Sequence, residues 1–185
     1  MTDIKRMMRG VAHDLWRVPL PEKQQPAQES VPAPAFEAIW KAVDEGIDWT
    51  GLLAEPAGQP ALATLANDVL LGNADAYRTA LDILKPLADL GAYYTDCAVE
   101  IVDADTLSAS YTAAFAADDK KHACGLALRT ARDLLAALPV SSVRVHAAHT
   151  DGAVLEAQFT RDALRHIRVN VADPVEIAAQ CGKWL

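Results

Sequence analysis

The hydrophobic pattern of this chain changes its period near Gly91, and that change constrains the fold more than any other feature. Before Gly91, apolar residues recur at the three- and four-residue spacing of amphipathic helices. After it, residues 97–113 and 142–159 alternate between apolar and polar, as strands with one buried face do. A helical first half followed by strand pairs predicts an α+β protein.

Each alternating stretch contains a short polar loop and therefore predicts a β-hairpin. The loops are Asp103-Ala104-Asp105 and Thr150-Asp151-Gly152, the second with glycine in the left-handed position. We expect the two hairpins to adopt the registers that separate apolar from polar faces. In the first hairpin they pair Ile101 with Leu107, Val99 with Ala109, Cys97 with Tyr111, Glu100 with Ser108 and Val102 with Thr106. In the second they pair Val143 with Phe159, Val145 with Ala157, Ala147 with Leu155, Arg144 with Gln158 and His146 with Glu156.

Helices are predicted around the hairpins. Three lie within residues 35–91, the first with Phe36, Ile39, Trp40 and Val43 on one face and a Gly/Pro-rich loop after it. A fourth covers 119–138 and ends at Pro139. The last covers 173–184, with Asp173 as N-cap and Pro174 in the first turn. The order ββα-ββα predicts a four-stranded, mainly antiparallel sheet with helices on its apolar face.

The N-terminus has a different character. Residues 1–18 predict a basic amphipathic helix with a stripe of Ile4, Met7, Met8, Val11 and Leu15. Residues 19–34 contain five prolines and predict an extended linker, so residues 35–185 are expected to form a single α+β domain. The stripe needs a covering surface, which is either the chain's own domain or a protein partner, including a second copy.

Charge and composition restrict the partner and the compartment. The net charge is −8, although residues 1–18 are basic, and an acidic body disfavours nucleic acid. Four basic groups favour membrane-surface binding only weakly. No apolar run approaches the roughly 20 residues of a membrane span, and no signal-peptide pattern opens the chain. Three scattered cysteines, expected to be small buried apolar residues, suit a reducing compartment, so we expect a cytoplasmic protein.

One group of side chains is a candidate metal site: His146, His149, Asp151 and Glu156. Zinc prefers histidine and carboxylate ligands. Residues three apart on a strand point to opposite faces, however, so His146 and His149 converge only if the strand ends between them. The competing interpretation is the polar outer face of a hairpin with a His146–Glu156 pair, and we expect no bound metal.

Other candidates are weaker. His122 and Cys124 are two apart on a helix and cannot share a ligand site, and nothing specific supports a catalytic Cys–His pair that uses Cys124 or Cys181. Acidic residues near the first loop suit turn chemistry better than a cation site; they are Asp96, Glu100, Asp103 and Asp105. The sequence contains no phosphate-binding loop, GxSxG, HExxH, CxxC or dinucleotide motif, which argues against motif-marked enzymes and predicts no cofactor.

Residues 77–185 resemble a domain of uncharacterised bacterial proteins. The features that carry the resemblance are Leu134–Leu138 followed by Pro139, the strand at 143–147, the turn near Gly152, and Asp173-Pro174. That family has no established activity, so the resemblance implies a fold and no functional residue.

Taken together, these features predict a protein-binding or regulatory module that docks through the N-terminal helix. One alternative is a motif-poor hydrolase or metal-dependent enzyme that uses the outer face of the 142–159 hairpin. The other is a structural component of a larger assembly.

Overall fold

The computed structural model describes residues 39–41, 45–55, 58–167 and 172–184, which all belong to one compact unit, Val31–Leu185. The predicted helix at 1–18 and the linker at 19–34 lie outside the described residues. The first described element is a 3-10 turn, Ile39–Lys41. Three helices follow: α1 (Trp49–Ala54), α2 (Pro60–Leu70) and α3 (Ala74–Leu84), with a second 3-10 turn at Ala88–Leu90.

The second half contains a five-stranded sheet whose strand order follows the sequence. Its strands are β1 (Tyr94–Ile101), β2 (Thr106–Ala113), β3 (Ser142–Ala148), β4 (Val154–Thr160) and β5 (Gly182–Trp184). Three of the four neighbouring pairs are antiparallel, and β2 with β3 is parallel. The long helix α4 (Lys120–Ala137) makes the crossover between them, as a parallel pair requires. Two further helices, α5 (Arg161–Arg165) and α6 (Pro174–Cys181), complete the α+β fold.

The core lies between α4 and one face of the sheet. The central strands direct ten buried apolar side chains to that face: Leu107, Ala109, Tyr111, Ala113, Val143, Val145, Ala147, Leu155, Ala157 and Phe159. Helix α4 is buried on nearly all sides, because the sheet covers one side while α6 and the Ile39–Lys41 turn cover others. The predicted packing of the two later helices on the apolar face is confirmed.

The Ile39–Lys41 turn is attached to α4 by arginine side chains. Arg129 donates to the Ile39 carbonyl at 3.2 Å, and Arg132 donates to the Trp40 carbonyl at 2.6 Å. Arg129 is itself buried and its Nε atom lies 2.7 Å from both carboxylate oxygens of Asp133. This buried ion pair explains how a charged residue sits inside the core.

Most of the predicted hairpin pairs are confirmed. Every pair predicted for the second hairpin is present, and Gly152 has a φ of 85° in the turn. In the first hairpin the pairs made by Ile101, Val99 and Glu100 are present. The predicted pairing of Cys97 with Tyr111 is wrong, because a bulge between Thr95 and Ala98 shifts the register. Cys97, which lies in the bulge, is exposed, contrary to the expectation that the cysteines are buried.

Two helix boundaries also differ from prediction. Helix α1 occupies a stretch expected to be loop, and it begins where the Asp48 carboxylate accepts the Gly51 N–H at 2.9 Å. The last helix ends at Cys181 instead of continuing to 184, because residues 182–184 pair with β4. The first helix predicted within residues 35–91, which carries Trp40, lies only partly in the described part of the chain, at Ile39–Lys41 and residues 45–46.

Candidate functional site

The face of the sheet opposite α4 is polar, and we call it the open face. It is built from two rows of residues that face each other across the strands. The first row is Glu100, Ser108, Arg144 and Gln158, and the second is Ala98, Ser110, His146 and Glu156. The two rows continue from one hairpin to the other because β2 and β3 pair directly.

A hollow of about 690 Å³ lies over this face. Its lining includes the side chains of Glu100, Arg144, His146 and Glu156, together with Cys181. The volume lies within the range of ordinary small-ligand sites, and a shallow hollow of this kind also accepts side chains of a protein partner. The structure thus brings the two predicted hairpin faces together into one surface.

The second row contains a histidine–carboxylate pair. His146 Nδ1 lies 3.2 Å from Glu156 Oε1, and both side chains are roughly half exposed. The contact is the cross-strand pair that the register predicted. Ser110 is the direct neighbour of His146 on the other side, so a hydroxyl, an imidazole and a carboxylate follow one another across β2, β3 and β4.

The first row carries two charges of opposite sign. Arg144 and Glu100 are both exposed, with Ser108 between them. Within the part of the chain that the structure describes, neither side chain makes an ion pair. Glu156, the acidic group nearest to Arg144 along the sheet, is engaged by His146. Two opposite charges therefore stand on the same face without partners there.

The other members of the candidate metal group lie elsewhere. His149 follows the end of β3 and is buried, and its Nδ1 lies 3.3 Å from the Phe115 carbonyl. A carbonyl only accepts, so Nδ1 carries the proton of the neutral ring. Burial lowers the pKa of His149, although the Phe115 carbonyl and Asp151 partly oppose this effect.

Asp151 is a structural residue of the hairpin loop. Its carboxylate accepts the N–H groups of Ala153 and Ala117, each at 3.1 Å, which joins the loop to the segment before α4. These bonds, the one from Ala153 first, lower the pKa of Asp151. The structure therefore brings His146 together with Glu156 and His149 close to Asp151, but it does not bring the two histidines together. Among the described residues, no three His, Cys, Asp or Glu side chains are close enough to hold a metal ion.

The remaining candidates have structural surroundings. Asp119 caps α4 by accepting the His122 N–H at 3.1 Å, and it also pairs with the His122 ring. Cys124 is buried in α4, where burial raises the pKa of its thiol to about 11, so it is protonated at neutral pH. The Asp103 carboxylate accepts the N–H of Asp105 at 2.8 Å, which confirms the turn interpretation.

The sequence predicts a polar face for each hairpin, but the alternating pattern does not show that the two faces form one continuous surface. The sequence pattern therefore did not predict that one site contains Glu100, Ser108, Ser110, Arg144 and Gln158. The missing step was the parallel pairing of β2 with β3. A signal for it was present, because a long helix between two adjacent strands is typical of a parallel crossover.

Comparisons with known proteins return no match to a protein-family model, a curated protein or a solved structure. The resemblance to a domain of uncharacterised bacterial proteins therefore stays a prediction. In the described part of the chain, no helix combines the length and the apolar character needed to cross a bilayer.

Proposed function

We propose that this protein is a cytoplasmic protein-binding or regulatory module and that the open face is its main contact surface. The observation that carries the proposal is the contrast between the two faces of the sheet. One face is buried under α4 and carries apolar side chains. The other carries exposed polar and charged side chains around a hollow.

The composition of the open face suits a protein partner. Its β2 residues are small, and arginine and histidine stand beside them on β3. Small hydroxyl side chains offer adaptable hydrogen bonds to a partner, and arginine is enriched at protein interfaces. Arg144 and the two carboxylates Glu100 and Glu156 also line the hollow, and charges of both signs allow electrostatic complementarity with a protein surface.

Affinity purification of the tagged full chain from its host, followed by mass spectrometry, tests the proposal. We expect a captured protein to be lost with Ser110→Tyr, which fills the hollow, and with Arg144→Ala. The matched control is Arg165→Ala, which removes an exposed arginine from α5. Equal capture by all variants would contradict a role for the open face.

The N-terminal segment gives the proposal a second contact. Its apolar stripe of Ile4, Met7, Met8, Val11 and Leu15 is suited to a groove on a protein partner, and adjacent methionines suit an adaptable interface. Deleting residues 1–18 is expected to leave the circular dichroism of the remaining domain intact and to weaken partner capture. Loss of the folded signal would instead show that the segment is part of the domain's own structure.

A second candidate function is a motif-poor hydrolase, and the row Ser110–His146–Glu156 favours it. A serine, a histidine and a carboxylate in that order are the groups of nucleophilic acyl transfer. A fluorophosphonate probe that labels the wild-type chain but neither Ser110→Ala nor His146→Ala would support this activity. No labelling of the folded wild-type chain would argue against it.

A further inference from the structure

The open face carries two exposed side chains of opposite charge, and neither makes an ion pair with another described residue. Glu100, Ser108 and Arg144 occupy adjacent positions on β1, β2 and β3. Because neighbouring strands lie about 4.8 Å apart, the acidic and basic residues are separated by about 10 Å, with the serine midway. Both side chains line the same hollow.

We propose that the open face binds a second copy of this chain about a two-fold axis that runs along β2 in the plane of the interface. Rotation by 180° about that axis places Arg144 of each copy over Glu100 of the other. This is the reciprocal contact of an isologous interface, in which one patch is complementary to itself. The inference rests on the proposed function and names the partner.

The residues near the axis fit this arrangement. The partly exposed open-face residues of β2 are Ser108, Ser110 and Thr112, all small enough for two sheets to approach closely. In the second row the same rotation brings His146 of one copy over Ala98 of the other, and an alanine leaves space for an imidazole ring. The same two-fold rotation therefore makes both the charges and the side-chain sizes of the two facing copies complementary.

The size of the surface predicts a weak dimer. Three strands of about seven residues offer a patch of about 14 by 23 Å, which is smaller than the ~800 Å² per partner of a standard interface. We therefore expect concentration-dependent association that decreases with added salt, since exposed ion pairs are screened.

Charge reversal in the full-length chain tests this model sharply. Arg144→Glu or Glu100→Arg alone replaces two attractive contacts with two repulsive ones, and we expect sedimentation equilibrium to show association weakened by about tenfold or more. The double variant restores both attractive contacts and is expected to associate like the wild type. An equimolar mixture of the two single variants is also expected to associate, since each supplies the charges that the other lacks.

The matched control is Arg165→Glu, the same reversal at an exposed position on α5, which should leave association unchanged. Recovery in both the double variant and the mixture supports the proposal. A wild-type chain that stays monomeric throughout the concentration series overturns it, and so does association that survives every reversal or fails to recover. Capture of a different protein through the open face, together with a monomeric wild type, would refute self-association and leave the proposed function standing.

Discussion

The indole ring of Trp40 packs directly against the backbone of Gly125 in the first half of α4. A Cβ atom built at position 125 overlaps the six-membered part of the ring, so only glycine fits there. Trp40 is 2 % exposed, and its carbonyl accepts a hydrogen bond from Arg132. The glycine is therefore the contact point that lets the Ile39–Lys41 turn lie close to α4.

Gly125→Ala is expected to lower the free energy of unfolding by about 1–3 kcal/mol, because overpacking a filled core forces side chains or backbone to move. Alanine's higher helix propensity favours the variant by about 1 kcal/mol, but the ring has little room to shift. Urea denaturation measures the change. The control is the same substitution in a Trp40→Leu background, where the cost should shrink; an equal cost in both backgrounds would exclude the ring as the cause.

The buried ion pair inside α4 gives a second prediction. Asp133→Ala leaves the Arg129 guanidinium in the core without its closest carboxylate, and breaking a buried pair from one side costs about 3–5 kcal/mol. Asp89 also contacts Arg129, at 3.2 Å, but it is largely exposed and compensates little.

Asp162→Ala is the matched control for that variant, because its pair with Arg165 is also within one helix but is solvent-exposed. Its expected cost is below about 1 kcal/mol. If the two variants had similar urea midpoints, the buried pair would not be the stabilising interaction that its position suggests.

The buried imidazole of His149 predicts a pH dependence of stability. Burial lowers its pKa in the folded state below the ordinary 6.5, so the unfolded chain binds the proton first as the pH falls. Stability should therefore decrease as the pH drops below about 6.5, and the decrease should end once the folded-state pKa is passed.

His149→Asn tests the assignment, since the amide can still donate to the Phe115 carbonyl but does not titrate in this range. The urea midpoint is measured at about pH 7.5 and about pH 5.5, one pH unit on either side of the ordinary histidine pKa of about 6.5. The difference between these two midpoints should be smaller in the variant than in the wild type. Identical pH dependence in the two proteins would assign the effect to another group.

The hydrophobic pattern predicted the individual hairpins better than it predicted how they join into one sheet. The second hairpin was predictable pair by pair, because only one register separates Val143, Val145 and Ala147 from Arg144 and His146. The parallel contact between β2 and β3 joins residues more than thirty positions apart, so the alternation within each hairpin does not specify it, and only the long helix between the strands indicates it. The candidate site depends on that contact, so its two halves were predicted and their combination was missed. Helix α1 was missed because Gly51 and the nearby prolines favour a loop, while the buried Trp49 stabilises the helix through tertiary contacts.

The bulge in β1 was missed for a different reason, and it supplies the last prediction. Asp96 has a φ of 53°, a left-handed conformation that alternation of apolar and polar residues does not report. The bulge accompanies the stacking of Tyr94 on Tyr111, whose ring centroids lie 5.1 Å apart, and the Tyr94 hydroxyl donates to the Leu87 carbonyl.

A β-branched residue strongly disfavours the backbone conformation of Asp96, so Asp96→Val should destabilise the domain by about 1–2 kcal/mol. Asp96→Gly should be neutral or stabilising by up to about 1 kcal/mol, because glycine adopts positive φ without strain. Thr95→Val, at the preceding exposed strand position, is the control and should change stability little, since valine suits a strand. Urea denaturation of the three variants decides the matter: a valine at 96 that is tolerated as well as one at 95 would mean that the bulge is not retained in solution.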